Sequence, residues 1–221
     1  MGVVARSEEP INELFVRLNR SKSLTGAEVR NAMTGPAPEI IRQLTKHEFF
    51  LSNVSFSVQR GQDLNAAGKL LVFEYKESPQ ETKRRNLDAF VADVGKGSKE
   101  KLELSGRRVL ETLDDMASIF LPADKLLSSA GIVPVYYWFV RSSPESDYHR
   151  IREFLVYFER ERKANREPAR GANGRAFKDE TLSAFDAFNR STNDIKSHLG
   201  RFDILKKRFS LWKRGATSER R

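Results

Sequence analysis

Residues 146–165, SDYHRIREFLVYFERERKAN, place Tyr148, Ile151, Phe154, Leu155 and Phe158 three and four positions apart. That spacing puts all five on one side of an α-helix and leaves the charged residues between them to the other side. Upstream, the run Ile132 to Val140 is nine apolar residues including Pro134. Its aromatic and β-branched content favours a strand by propensity. Its place between helical segments, with Pro134 able to occupy a first turn, favours a buried helix. Downstream, Arg166 to Arg175 contains Pro168, Gly171 and Gly174, so a mobile loop is expected near 166–178. A helix from about Asp179 carries Leu182, Phe185 and Phe188. Ser191 to Asp194 gives a cap signal, and a last helix to about Trp212 repeats Ile195, Leu199, Phe202, Leu205, Phe209 and Trp212 near heptad spacing.

The first 140 residues read the same way. Pro10 to Asn19 carries Ile11, Leu14, Phe15 and Leu18 on one stripe. Thr25-Gly26-Ala27-Glu28 has the form of a capping box, predicting a short helix to about Met33. Further helices are expected over about 38–44, 63–76 and 98–120, and another after Ser78-Pro79-Gln80-Glu81, an N-cap with a first-turn proline and a carboxylate three residues on. Phe49 to Phe56 fits either a short helix and turn or a small strand. The expected fold is all-α, an orthogonal or bundled array of about ten helices without a sheet. Residues 1–140 would form a helical domain and 141–221 a basic helical part packing on it, or the two together one continuous domain.

The chain has 221 residues and a formal net charge of +9, from 39 Lys+Arg and 30 Asp+Glu. Arg141 onward holds 20 of the basic and 12 of the acidic residues, a net of +8. Such an imbalance favours a polyanionic partner, because phosphate contacts release counterions and need no sequence match. With no cysteine, disulfides, cysteine-ligated zinc, iron–sulfur clusters and thiol nucleophiles are excluded. No run reaches membrane-spanning length, so a cytoplasmic protein without membrane contact is expected.

No motif of a metalloprotease, a P-loop, a dinucleotide fold or a serine hydrolase is present. His47, His149 and His198 stand alone in sequence, and Asp114-Asp115 are helix neighbours pointing about 100° apart. No catalytic residue, metal ligand or cofactor site is therefore expected. Two basic sets are the candidate nucleic-acid contacts. One is Arg160, Arg162, Lys163, Arg166, Arg170 and Arg175; the other is Arg201, Lys206, Lys207, Arg208, Lys213 and Arg214 in the last helix.

Leu14-Phe15-Val16-Arg17-Leu18-Asn19 and then Leu24-Thr25-Gly26-Ala27-Glu28-Val29-Arg30-Asn31-Ala32 form a recognisable pair of stretches. They resemble the F-x-R-L-N … L-T-x-x-E-x-R-N-A element of the GmrSD-type restriction endonuclease N-terminal domain family, which is ParB/sulfiredoxin-like. Asn189 to Asp194 with the following Arg201 is similar to the C-terminal helical part of such proteins. The matching positions are Arg17, Asn19, Glu28, Arg30 and Asn31, read as structural or interface residues.

The resemblance implies a DNA-linked defence role. Complete members place a ParB-like α/β half, with a D-G-Q-Q-R nucleotide motif, before this point; the motif is absent here. The expectation is a truncated or split gene product, non-catalytic by itself, that binds DNA or a partner subunit through its basic C-terminal third. The alternative is an interaction module that completes a separately encoded ParB-like catalytic half, or self-associates, without touching nucleic acid.

Overall fold

The computed structural model describes residues 23–94, 99–167 and 178–218. Nine α-helices follow one another among these residues: α1 Gly26–Ala32, α2 Pro36–Leu44, α3 Gln62–Lys76, α4 Arg84–Val94, α5 Lys99–Ile119, α6 Val133–Arg141, α7 Tyr148–Arg166, α8 Glu180–Phe188 and α9 Ile195–Ser218. No strand occurs among the described residues, only an isolated bridge between Val54 and Asp124. The protein is all-α, as its periodicity predicts. Among the described residues, no helix is long and apolar enough to cross a membrane. The predicted helix over 10–19 and most of the loop predicted near 166–178 lie outside the described residues.

Helix α3 is the hub, packing on α1, α2, α4, α5 and α6. It is buried without interruption from Ala66 to Glu74, including Lys69 and Glu74, so no side of that stretch faces water. Helix α6 is likewise enclosed, with Val133, Pro134, Val135, Tyr136, Tyr137, Phe139 and Val140 all buried. Pro134 occupies its first turn, where a missing N–H leaves no bond unmade. Tertiary burial therefore overrides the strand propensity of this segment. Around Phe154 of α7, the rings of Phe139, Phe209 and Trp212 lie at 5.9, 5.0 and 5.8 Å. Residues from both sides of position 140 thus share one apolar cluster.

One start signal behaves differently from its sequence. Ser78-Pro79-Gln80-Glu81 does not open a helix; α4 begins at Arg84. Thr82 is buried and its N–H donates to the carbonyl of Asn193 at 2.8 Å. The Glu81 carboxylate reaches away from its own chain segment and accepts from the Ile195 N–H at 3.0 Å, at the first turn of α9. The capping chemistry is real, but it serves a helix more than 100 residues later. Residues 49–56, left open between helix and strand, form a π-helical turn over Phe49–Asn53 followed by the bridge at Val54.

Replacing Phe154 with alanine removes the ring shared by α6, α7 and α9, and should cost about 3–5 kcal/mol of unfolding free energy in urea titration. A loss below about 1 kcal/mol would mean that these helices do not share a core.

Candidate functional site

The capping box at the start of α1 forms as its sequence predicts. Glu28 N–H donates to Thr25 Oγ1 at 3.1 Å, and Thr25 N–H donates to Glu28 Oε2 at 2.6 Å. The Thr25 N–H holds the Glu28 carboxyl below its ordinary range, with Arg60 assisting. This cap fixes α1 so that Arg30, one turn on, points inward and is buried. Arg30 donates to Asp88 at 2.6 Å and to Asn65 at 2.7 Å, tying α1 to α4 and α3. The Asn31 carbonyl accepts from Arg42 at 2.8 Å, while its side-chain Oδ1 is buried with no hydrogen-bond partner among the described residues. Arg17 and Asn19 lie outside the described residues.

Arg30 borders a cavity of about 360 Å3 that sequence inspection does not reveal. Its walls come from the start of α1, the turn at 60–62, Asn65 and Lys69 of α3, Thr82, Arg84, Gly131 and the Thr192-Asn193 turn. Four cations line it, Arg30, Arg60, Lys69 and Arg84, and no aspartate or glutamate is among the described residues that do. Asp88 meets Arg30 and Arg84 from behind, and Glu28 meets Arg60 at 3.3 Å. Gly26 gives these side chains room at this wall: a Cβ there would stand 3.0 Å from both Arg30 Nη1 and Arg84 Cγ. Arg60 itself adopts a left-handed backbone, φ 59°, which is strained for a side chain of this kind. Its carbonyl accepts from Thr25 Oγ1 at 3.1 Å, locking the strained turn to the capping box.

Lys69 is the unusual member. It is only 4% exposed, and its Nζ donates to the neutral amide oxygen of Asn193 at 2.7 Å. It makes no ion pair among the described residues. Burial, with the charges of Arg201 and Arg30 adding to it, brings its pKa down to about 8. Glu74, one turn and a half further along α3, shows the ordinary arrangement: it is buried too, but accepts from Arg141 Nε at 3.0 Å and from Tyr137 Oη at 2.8 Å.

Arg201 lies behind the cavity and is fully enclosed, on the inward side of α9 and away from its solvent face. Its guanidinium donates to the carbonyls of Ser197, Gly131 and Thr192 and to Asn189 Oδ1, at 3.0–3.3 Å. His198, beside it, is buried, with Thr82 Oγ1 3.0 Å from Nε2. Thus the Thr192-Asn193 turn and the start of α1 meet at one place.

The other sequence-predicted cations divide into paired and open groups. Arg162 contacts Glu159 and Asp186, Arg166 grips Asp186 with two nitrogens, Arg208 pairs with Asp179, and Lys213 pairs with Asp147. Arg160, Lys163, Lys206, Lys207 and Arg214 are exposed. Arg160 stacks over Tyr157 and lies 3.4 Å from Glu161, and Lys206 covers the Phe202 ring. Arg170 and Arg175 fall outside the described residues. Among the described residues, no three His, Asp or Glu side chains are grouped to hold a metal ion. His47 faces Asp114 at 3.0 Å and accepts from the Phe49 N–H at 3.1 Å, a local structural role.

Comparison of the chain with family models, with curated proteins and with solved structures gives no match.

Arg60, Lys69 and Arg84 are absent from the sequence-derived candidates because lysine and arginine on a helix or turn normally face water. The available signal was the company of Lys69: Ala66, Ala67, Leu70, Leu71, Val72 and Phe73 surround it on every side of the helix.

Burial above all, then Arg201 and Lys69, depress the His198 pKa from 6.5 to about 3. The unfolded chain takes up a proton near pH 6.5 while the folded one resists, so this contribution to stability is full above 6.5 and declines as pH falls toward 3. Between pH 6.5 and 5, above most carboxylate titrations, the melting temperature should fall less steeply for His198→Gln than for the unaltered protein. Equal slopes would show that His198 is not buried neutral.

Proposed function

We propose that this chain is the helical part of a GmrSD/ParB-like DNA-restriction protein, non-catalytic by itself, which grips DNA through phosphate contacts from α9. The observation that carries the DNA contact is the outer stripe of that helix. Lys196, Lys207 and Arg214 are exposed and recur at 11 and 7 residues, which brings them within about 20° of one line along the helix. The stripe runs about 27 Å, and Lys206 flanks it. Asp203 is the one acidic residue on this line. A row of flexible cations on a straight helix suits the backbone of a duplex and reads no bases. Family identity rests on the resemblance of residues 14–32 and 189–201; the meeting of Arg30 and the Asn189–Asp194 turn at one cavity supports it.

A second reading, the interaction module for a separately encoded ParB-like half, is favoured by the exposure of Leu24, Val29 and Val58. These residues belong to α1 and to the segments beside it.

Binding to random-sequence duplex DNA should weaken steeply with salt, and changing Lys206, Lys207 and Arg214 to glutamate should reduce the slope of log K against log salt by about 3. Salt-independent binding, or an unchanged slope in the triple variant, would remove α9 from the contact.

A further inference from the structure

The cavity between α1, α3 and the Thr192-Asn193 turn carries more positive charge than the protein neutralises. Arg30, Arg60, Lys69 and Arg84 line it, and among the described residues only Asp88 and Glu28 pair with members of the set. Lys69 is the decisive case. A buried ammonium is costly unless a charge and further hydrogen bonds meet it, and buried lysines are accordingly rare. Here the ammonium's acceptor among the described residues is one amide oxygen, and it has two further N–H donors. Nor can the neighbours be summoned as counterions: Arg201, buried behind, is itself a cation. Among the other polar groups of the wall, Gln62, Asn65 and Asn193 carry neutral side-chain amides whose NH2 groups can donate to an oxyanion.

We infer that this cavity binds a small phosphate-bearing ligand, its phosphoryl oxygens received by Lys69, Arg30, Arg60 and Arg84. Phosphate suits the set better than a carboxylate. Three or more oxygens spread over a tetrahedron can meet donors arriving from α1, α3 and the turn at 60–62 together, and guanidinium groups pair naturally with them. About 360 Å3 also exceeds what a lone phosphoryl group fills and lies within the range of small-molecule pockets. The construction of the wall agrees. Gly26 leaves room for Arg30 and Arg84 to pass, and the left-handed Arg60 is held in place by Ser23, Thr25 and Glu28. Lys69 at 4% exposure is out of reach of a duplex backbone, so the site differs from the α9 stripe and does not depend on it.

Isothermal titration calorimetry of the full chain at pH 7 and constant ionic strength, with inorganic phosphate, pyrophosphate and sulfate as probes, tests this. Saturable one-to-one binding is expected for phosphate and pyrophosphate, with sulfate weaker. Lys69→Met should weaken pyrophosphate at least about ten-fold, from the loss of a charge-assisted bond. The same variant without ligand should melt at or above the temperature of the unaltered protein, because an uncompensated buried cation is gone. Arg84→Gln, at a largely exposed side chain, should fold normally and weaken pyrophosphate several-fold, which keeps the test decisive if Lys69→Met does not fold. Glutamates at Lys206, Lys207 and Arg214 should leave pyrophosphate binding intact. Absence of saturable binding, or unchanged affinity in Arg84→Gln and in folded Lys69→Met, would overturn the inference. Displacement of pyrophosphate by duplex DNA would overturn the assignment to a small ligand and give the cavity to a nucleic-acid phosphate.

Discussion

Arg201 donates hydrogen bonds inside the protein to the carbonyls of Ser197, Gly131 and Thr192 and to the side chain of Asn189, with His198 Nδ1 3.5 Å away. A guanidinium cannot give up its proton to escape burial, so these oxygens must stay where they are for as long as α9 is packed. That constraint sets the turn at 189–194, and the turn sets Asn193 against Lys69 and against Thr82. Glu81 closes the same arrangement from the other side at the start of α9, where it also pairs with Lys83, which bridges to Asp194. Positions more than 100 residues apart are thereby held at one cavity wall.

The opposite wall depends on a local cap. Thr25 and Glu28 orient α1, α1 aims Arg30 inward, and Asn65 and Asp88 hold the guanidinium there. The result is a concentration of cations facing a space that no carboxylate lines among the described residues. A fold selected for stability alone would place leucine or methionine at position 69, as α3 does around it, since replacing a buried charge with an apolar group is often neutral or stabilising. Retaining lysine there makes sense when the missing counterion comes from outside.

The sequence was legible where one helix decides its own fate. The capping box at Thr25–Glu28, the inward stripe of α7 and the helix start near Asp179 are local patterns, and each appears where its spacing puts it. Legibility ends where partners are distant. Glu81 has the position of a capping-box residue, yet its carboxylate serves Ile195. Arg201 sits among surface cations in sequence, and only the packing of α9 on α6 and α8 turns it inward. Of the ten candidate cations among the described residues, four meet acids from elsewhere in the chain: Arg162 and Arg166 with Asp186, Arg208 with Asp179 and Lys213 with Asp147. The site was least visible of all, because a buried lysine and a surface lysine are written with the same letter; the apolar residues on both sides of Lys69 were the one clue.

The ammonium of Lys69 can be followed directly by NMR, through the titration of its side-chain carbon and nitrogen signals with and without pyrophosphate. An enclosed, unneutralised cation should lose its proton near pH 8 in the free protein and hold it to distinctly higher pH once the anion is added. A midpoint near 10.5 that ignores pyrophosphate would describe a solvated lysine, and would contradict a cavity built around an uncompensated charge.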